Sequence, residues 1–163
     1  MKITASILCL SLLLLSCSSQ KSTDPGALSV YLNELDALRK TDLEENAVSA
    51  FCAVSGKKKR GDKALFQALS RCTLPNYSAF YRKLKAIRPA DTRLSNLHSI
   101  YMEGARYQLL AFSNVSEYLI SRETRDLRRF QEQSRYAREL IHRWRMAFNR
   151  LLLEAGKKLT PEQ

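Results

Sequence analysis

Two files of apolar side chains, stepping alternately by three and four residues, dominate the second half of the chain. Leu94, Leu97, Tyr101, Gly104, Gln108, Ala111, Val115 and Tyr118 make the first, widened by Ala105, Phe112 and Leu119. Leu127, Phe130, Ser134, Ala137, Ile141, Trp144, Phe148, Leu151 and Ala155 make the second. That rhythm keeps one face of a helix apolar over many turns. Residues 121–126 between them are polar and offer Ser121 and Thr124 as caps, so the spacing predicts two long helices folded into an antiparallel hairpin. Gly156, followed by Lys157 and Lys158, is expected to close the second helix with a glycine cap and cations suited to the dipole.

Upstream the elements are shorter. Asp24-Pro25 is a good helix start, a capping carboxylate before a proline at the first helical position. Leu28, Tyr31, Leu32, Leu35 and Leu38 follow, then a candidate break at Thr41-Asp42-Leu43-Glu44, then Leu43, Ala47, Phe51 and Val54, which reads as one long helix or two short ones. Gly56 stops this run. Lys57-Lys58-Lys59-Arg60-Gly61 reads as a glycine-bounded basic loop, either an anion-binding finger or a solvated loop. Asp62 is expected to cap a short helix carrying Ala64, Leu65, Ala68 and Leu69; Thr73-Leu74-Pro75 to turn the chain; and Tyr77 to Ile87 to form another short helix, ended by Pro89. Nothing alternates with the period of a strand, and no segment repeats. The fold class expected is all-α: a small helical bundle with a long C-terminal antiparallel hairpin and one disulfide.

Ahead of all this lies a run of another kind. Lys2 precedes thirteen uncharged, mostly apolar residues, Ile3 to Leu15, and small Ser16 follows. As a helix the run would reach roughly 20 Å, short of a ~30 Å hydrocarbon core, so it reads as a signal peptide and not a span. Leu14-Leu15-Ser16-Cys17 resembles the lipobox of bacterial lipoproteins, a likeness confined to the first 17 residues. It implies cleavage after Ser16 and acylation of Cys17, and two acyl chains suffice for stable anchoring. Ser18, standing where aspartate would signal inner-membrane retention, implies for a Gram-negative cell the outer membrane, facing the periplasm. On this reading residues 1–16 are removed, 17–24 form a short tether, 25–158 form a single helical domain and 159–163 are a tail.

Export changes the reading of the cysteines. Cys9 leaves with the signal peptide and Cys17 becomes a thioether, which leaves Cys52 and Cys72. They have no nearby histidine and no Cys-x-x-Cys spacing, so a structural Cys52–Cys72 disulfide is expected, clamping the helices on either side of the basic loop. The chain carries a formal charge of +11, or +10 once Lys2 is removed. Excess positive charge favours anionic partners and says nothing about fold. In the envelope these would be lipid headgroups, cell-wall polymers, acidic proteins or incoming DNA, with cytoplasmic nucleic acid out of reach.

Catalytic chemistry is not legible. Glycine-rich phosphate loops, a nucleophile elbow and a His-Glu-x-x-His pair are all missing. The two histidines, His98 and His142, would sit on the flanks of the two seams, offset by roughly 9 Å along a hairpin turning near residue 123, too far to share one metal. No catalytic residue, metal site or cofactor is assigned. What stands out is the nine arginines from Arg122 to Arg150, against acids only at Glu123, Asp126, Glu132 and Glu139. Arg128, Arg135, Arg138 and Arg145, with His142 in the same file, fall along one flank of the last seam. Either this is a solvated face paired to acids on neighbouring helices, or it is a docking surface for carboxylate or phosphate. The function expected is a membrane-anchored, non-enzymatic adaptor or assembly factor that binds an envelope protein. The alternative is a basic module binding anionic lipid or cell-wall polymer.

Overall fold

The computed structural model describes residues 23–55 and 61–156, and all of the regular structure among them is helical. The lipobox-like segment Leu14–Cys17, the Lys57–Arg60 run and the expected tail lie outside the described residues. Six α-helices follow one another: α1 (Pro25–Arg39), α2 (Leu43–Ser55), α3 (Asp62–Ala68), α4 (Leu74–Ala86), α5 (Thr92–Ser121) and α6 (Thr124–Glu154), with a π-helical turn, Leu69–Thr73, joining α3 to α4. No helix of the described residues is long and apolar enough to cross a membrane.

The start of α1 follows from Asp24, whose carboxylate accepts the Gly26 N–H at 3.0 Å ahead of Pro25. The break after it is real. Asp42 takes a left-handed backbone (φ 52°), and the Thr41 hydroxyl donates to the Leu38 carbonyl at 2.7 Å, so two short helices form. Three expectations fail in this half. Gly61, not Asp62, stands at the cap of α3, and the Asp62 carboxylate reaches instead to Arg122 at 2.6 Å. The chain does not turn at Thr73-Leu74-Pro75. A proline inside a helix removes one hydrogen bond and crowds the carbonyl four residues back; here the helix widens, with Leu74 N–H bonding the Leu69 carbonyl five residues away, and it runs on into α4. The Asn76 amide donates to the Cys72 carbonyl at 2.9 Å.

The third failure is the disulfide: Cys52 and Cys72 are separate free thiols. The Cys72 thiol sits 3.6 Å from the Asn46 carbonyl. Asn46 precedes Cys52 by six residues, roughly 9 Å along α2 and about 120° around it, so the two sulfurs belong to different faces of the helix. Compartment argued for the bond, and helical phase keeps the thiols apart.

The predicted hairpin is present, with α5 and α6 packed along their length. Its turn is not capped by Thr124. The Ser121 hydroxyl accepts the Glu123 N–H and donates to the buried Asp126 carboxylate, both at 3.1 Å, while Arg122 takes the left-handed conformation (φ 61°). Gly156 is left-handed as expected. Gly104 sits against the backbone of α6, where an added Cβ would lie 3.3 Å from Ile141 N. Both predicted seams are largely interior, although Ala155 is exposed and Leu140 and Leu152 join the core. Aromatic rings run through it: Tyr101 stacks on Trp144 at 4.1 Å, Trp144 on Phe148 at 5.2 Å, and Tyr77 meets Phe112 edge-on at 5.3 Å. α1 closes one side, with Tyr31 edge-on to Phe148 and to His98.

Candidate functional site

α2 packs against α3, the π-helical turn and α4, and it stands off from α6. A cleft of about 390 Å³ opens between them. Val48, Phe51 and Cys52 line it from α2; Phe112 and Gln108 of α5 and Tyr77 of α4 form its floor; Phe130, Gln131, Ser134, Arg138 and Ile141 line it from α6. Phe51 reaches across, its ring 6.2 Å from that of Phe130. A recess of this size with apolar walls and a few polar groups has the general character of a binding cleft.

The polar groups are unevenly satisfied. Glu44, at the α2 lip, accepts a hydrogen bond from the Tyr101 hydroxyl at 3.2 Å. Burial first, and the Glu44 charge second, push the phenols of Tyr77 and Tyr101 far above the ordinary tyrosine value, so both stay protonated and can donate. Among the described residues the Tyr77 hydroxyl nevertheless has no hydrogen-bond partner, and neither does the Ser134 hydroxyl, although these residues are only 1% and 8% exposed. Orphaned polar groups at this depth are uncommon in a folded protein.

The predicted cationic file runs along this cleft. Arg128, Arg135, Arg138, His142 and Arg145 are all exposed on α6. They occupy an arc of about 100° and a length of about 25 Å on an ideal helix, beside the face that lines the cleft; Arg138 belongs to both file and cleft. Pairing with neighbouring acids is confined to other arginines: Arg122 with Asp62 at 2.6 Å, Arg125 and Arg129 with Asp126 at 3.8 and 4.0 Å, and Arg150 with Glu154 at 3.2 Å. Among the described residues, no ion pair or hydrogen bond engages any member of the file.

His98, expected on a flank, is buried in the core. Its Nε2 lies 3.2 Å from the Leu84 carbonyl, which can only accept, so that nitrogen carries the hydrogen and Nδ1 accepts from the Tyr31 hydroxyl at 3.1 Å. Burial above all holds its pKa below the ordinary histidine value of 6.5, with the nearby Arg88 charge acting the same way against the Leu84 bond. Among the described residues no three His, Cys, Asp or Glu side chains gather as metal ligands would. The cleft itself went unread in the sequence. A signal existed in the second apolar file of α2, Val48 with Cys52, one step off the seam of Ala47 and Phe51. No family model matches the chain, and no curated protein or solved structure matches it.

Proposed function

We propose that the chain is a lipid-anchored, non-enzymatic protein of the cell envelope that binds another protein, with the arginine file of α6 guiding the partner into place. The observation that carries the reading is the set of exposed cations along one flank of α6, Arg128, Arg135, Arg138, His142 and Arg145, none of which is engaged by an ion pair or hydrogen bond among the described residues, while Arg125, Arg129 and Arg150 pair with acids near the helix ends. Arginine's planar fork suits carboxylates, and exposed charge of one sign steers encounter more than it sets final affinity. Lipidation of Cys17, as the lipobox implies, would hold the domain within a short tether of the membrane, the outer one in a Gram-negative cell.

The test is charge reversal of Arg135, Arg138 and Arg145 together. Crosslinked capture of the partner in intact cells is expected to fall, and the remaining association to lose most of its salt dependence. The fold is expected to survive, because all three side chains are exposed and bonded to nothing among the described residues. The competing reading, a module for anionic lipid or wall polymer, predicts strong binding of the lipid-free domain to phosphatidylglycerol vesicles, at ~1 kcal/mol per engaged basic residue. Vesicle binding lost in the triple variant, together with empty captures, would replace the adaptor with that module.

A further inference from the structure

We infer that the α2–α6 cleft receives an amphipathic helix of the partner protein, acidic along one flank. This rests on the adaptor reading and specifies what the partner must present. Two features of the cleft select that occupant.

Shape comes first. The α6 side of the cleft runs from Phe130 to Ile141, about 16 Å or three helical turns, and its walls are the rings of Phe51, Phe112 and Phe130 with Ile141. A helix laid along α6 would bury its i, i+3, i+4 and i+7 positions there, the usual way a helix fills a groove. Charge comes second and is asymmetric. The α6 rim carries over about 25 Å arginines that no described residue pairs with, while the α2 lip carries Glu44, engaged by Tyr101. Only the flank of the occupant facing α6 should therefore be acidic, with carboxylates at helical spacing against Arg128, Arg135 and Arg138.

An acyl chain seated in the cleft would fill its apolar walls and bring no carboxylate to the arginines on its rim. A membrane surface would meet the exposed file without entering the recess at all.

The experiment uses the full chain in the cells that make it. A photo-crosslinking amino acid is placed in one strain at Val48, on the lip of the cleft, and in another at Met146, which is outside the cleft on the outer edge of the file. At 39% and 59% exposure, neither site is part of the core. The Val48 probe is expected to join a single protein partner, and sequencing of the joined peptide to reveal an apolar helical repeat flanked by Asp or Glu. Arg138→Glu is expected to lower that yield about tenfold, in line with the coupling of close charge pairs. A Met146 adduct to a protein with no Val48 adduct, or with Val48 joined to lipid or to a segment lacking the acidic flank, would overturn the cleft proposal and leave the adaptor standing. No protein adduct at either position would remove both.

Discussion

Replacing Gly104 with alanine should destabilise the protein even though alanine is the better helix former. A methyl added at Gly104 would lie 2.9 Å from Ile141 Cγ1, 3.3 Å from Ile141 N and 3.3 Å from Leu140 Cβ. Carbon pairs rest at about 3.5 Å or more, so roughly 0.6 Å has to be recovered at the closest contact. Two of the three atoms, a main-chain nitrogen and a β-carbon, cannot rotate away. Relief therefore requires α5 and α6 to separate. Alanine gains about 1 kcal/mol in helix propensity, and overpacking of a tight crossing costs about 1–3 kcal/mol. The expected net loss is about 1 kcal/mol, or a fall of about 3 °C in Tm for a chain of this size. Gly104→Leu, with three further carbons to place, should lose more than ~3 kcal/mol. The decisive control is Ile141→Ala, which deletes the nearest clashing atom. In that background the loss from Gly104→Ala should shrink, a coupling of up to about 1 kcal/mol measured by urea denaturation of the four proteins. A Gly104→Ala protein more stable than the unsubstituted chain, or an unchanged effect with Ile141→Ala, would mean that this contact does not set the spacing of the hairpin.

Two further outcomes are expected. The unfolded chain takes up a proton at His98 before the folded one does, so stability should be full above about pH 6.5 and fall as the pH drops from there through the lowered folded-state value, by at most ~1.4 kcal/mol per pH unit. Urea midpoints from pH 8 to pH 5 should show an excess slope in the unsubstituted chain over His98→Gln, and identical slopes would show that the imidazole is not held neutral. Cys17→Ala should leave an uncleaved or soluble precursor, whereas unchanged membrane fractionation with unchanged mobility would remove the lipid anchor from the proposed function.

The long helices were readable because each repeats its apolar spacing over many turns, and a file of that length has one geometric solution. The shorter elements were not, because local rules compete within them. Asp62 has the side chain of a cap, yet Gly61 supplies the backbone conformation that starts α3, which frees the carboxylate to bind Arg122. Pro75 has the composition of a turn, yet a single widened turn carries the helix past it. His98 was read at the edge of a stripe, but burial there depends on α1, whose Tyr31 covers the ring. Periodicity identifies the face of a helix and leaves open which neighbour covers it. For the same reason the cleft was invisible: it exists because α2 follows α4 and the π-helical turn instead of α6.

The nine arginines of residues 122–150 show what such neighbours decide. By composition they are equivalent. In the fold, Arg122 is drawn to Asp62 of α3, Arg125 and Arg129 flank Asp126, and Arg150 meets Glu154. Arg122 precedes α6, and the other three lie near its two ends. Along the middle, the flank that carries Arg135, Arg138 and Arg145 borders a recess instead of another helix, and no acid of a neighbouring element is paired with them among the described residues. A gap in packing and a surplus of positive charge thus share one cause, the separation of α2 from α6. Whatever fills the gap meets the charge as well, so an apolar occupant without carboxylates would leave the cations unpaired beside a drier surface, where their mutual repulsion is less screened. An acidic, apolar-faced helix relieves both at once, and for that reason binding to this face should depend on contact area and on salt together.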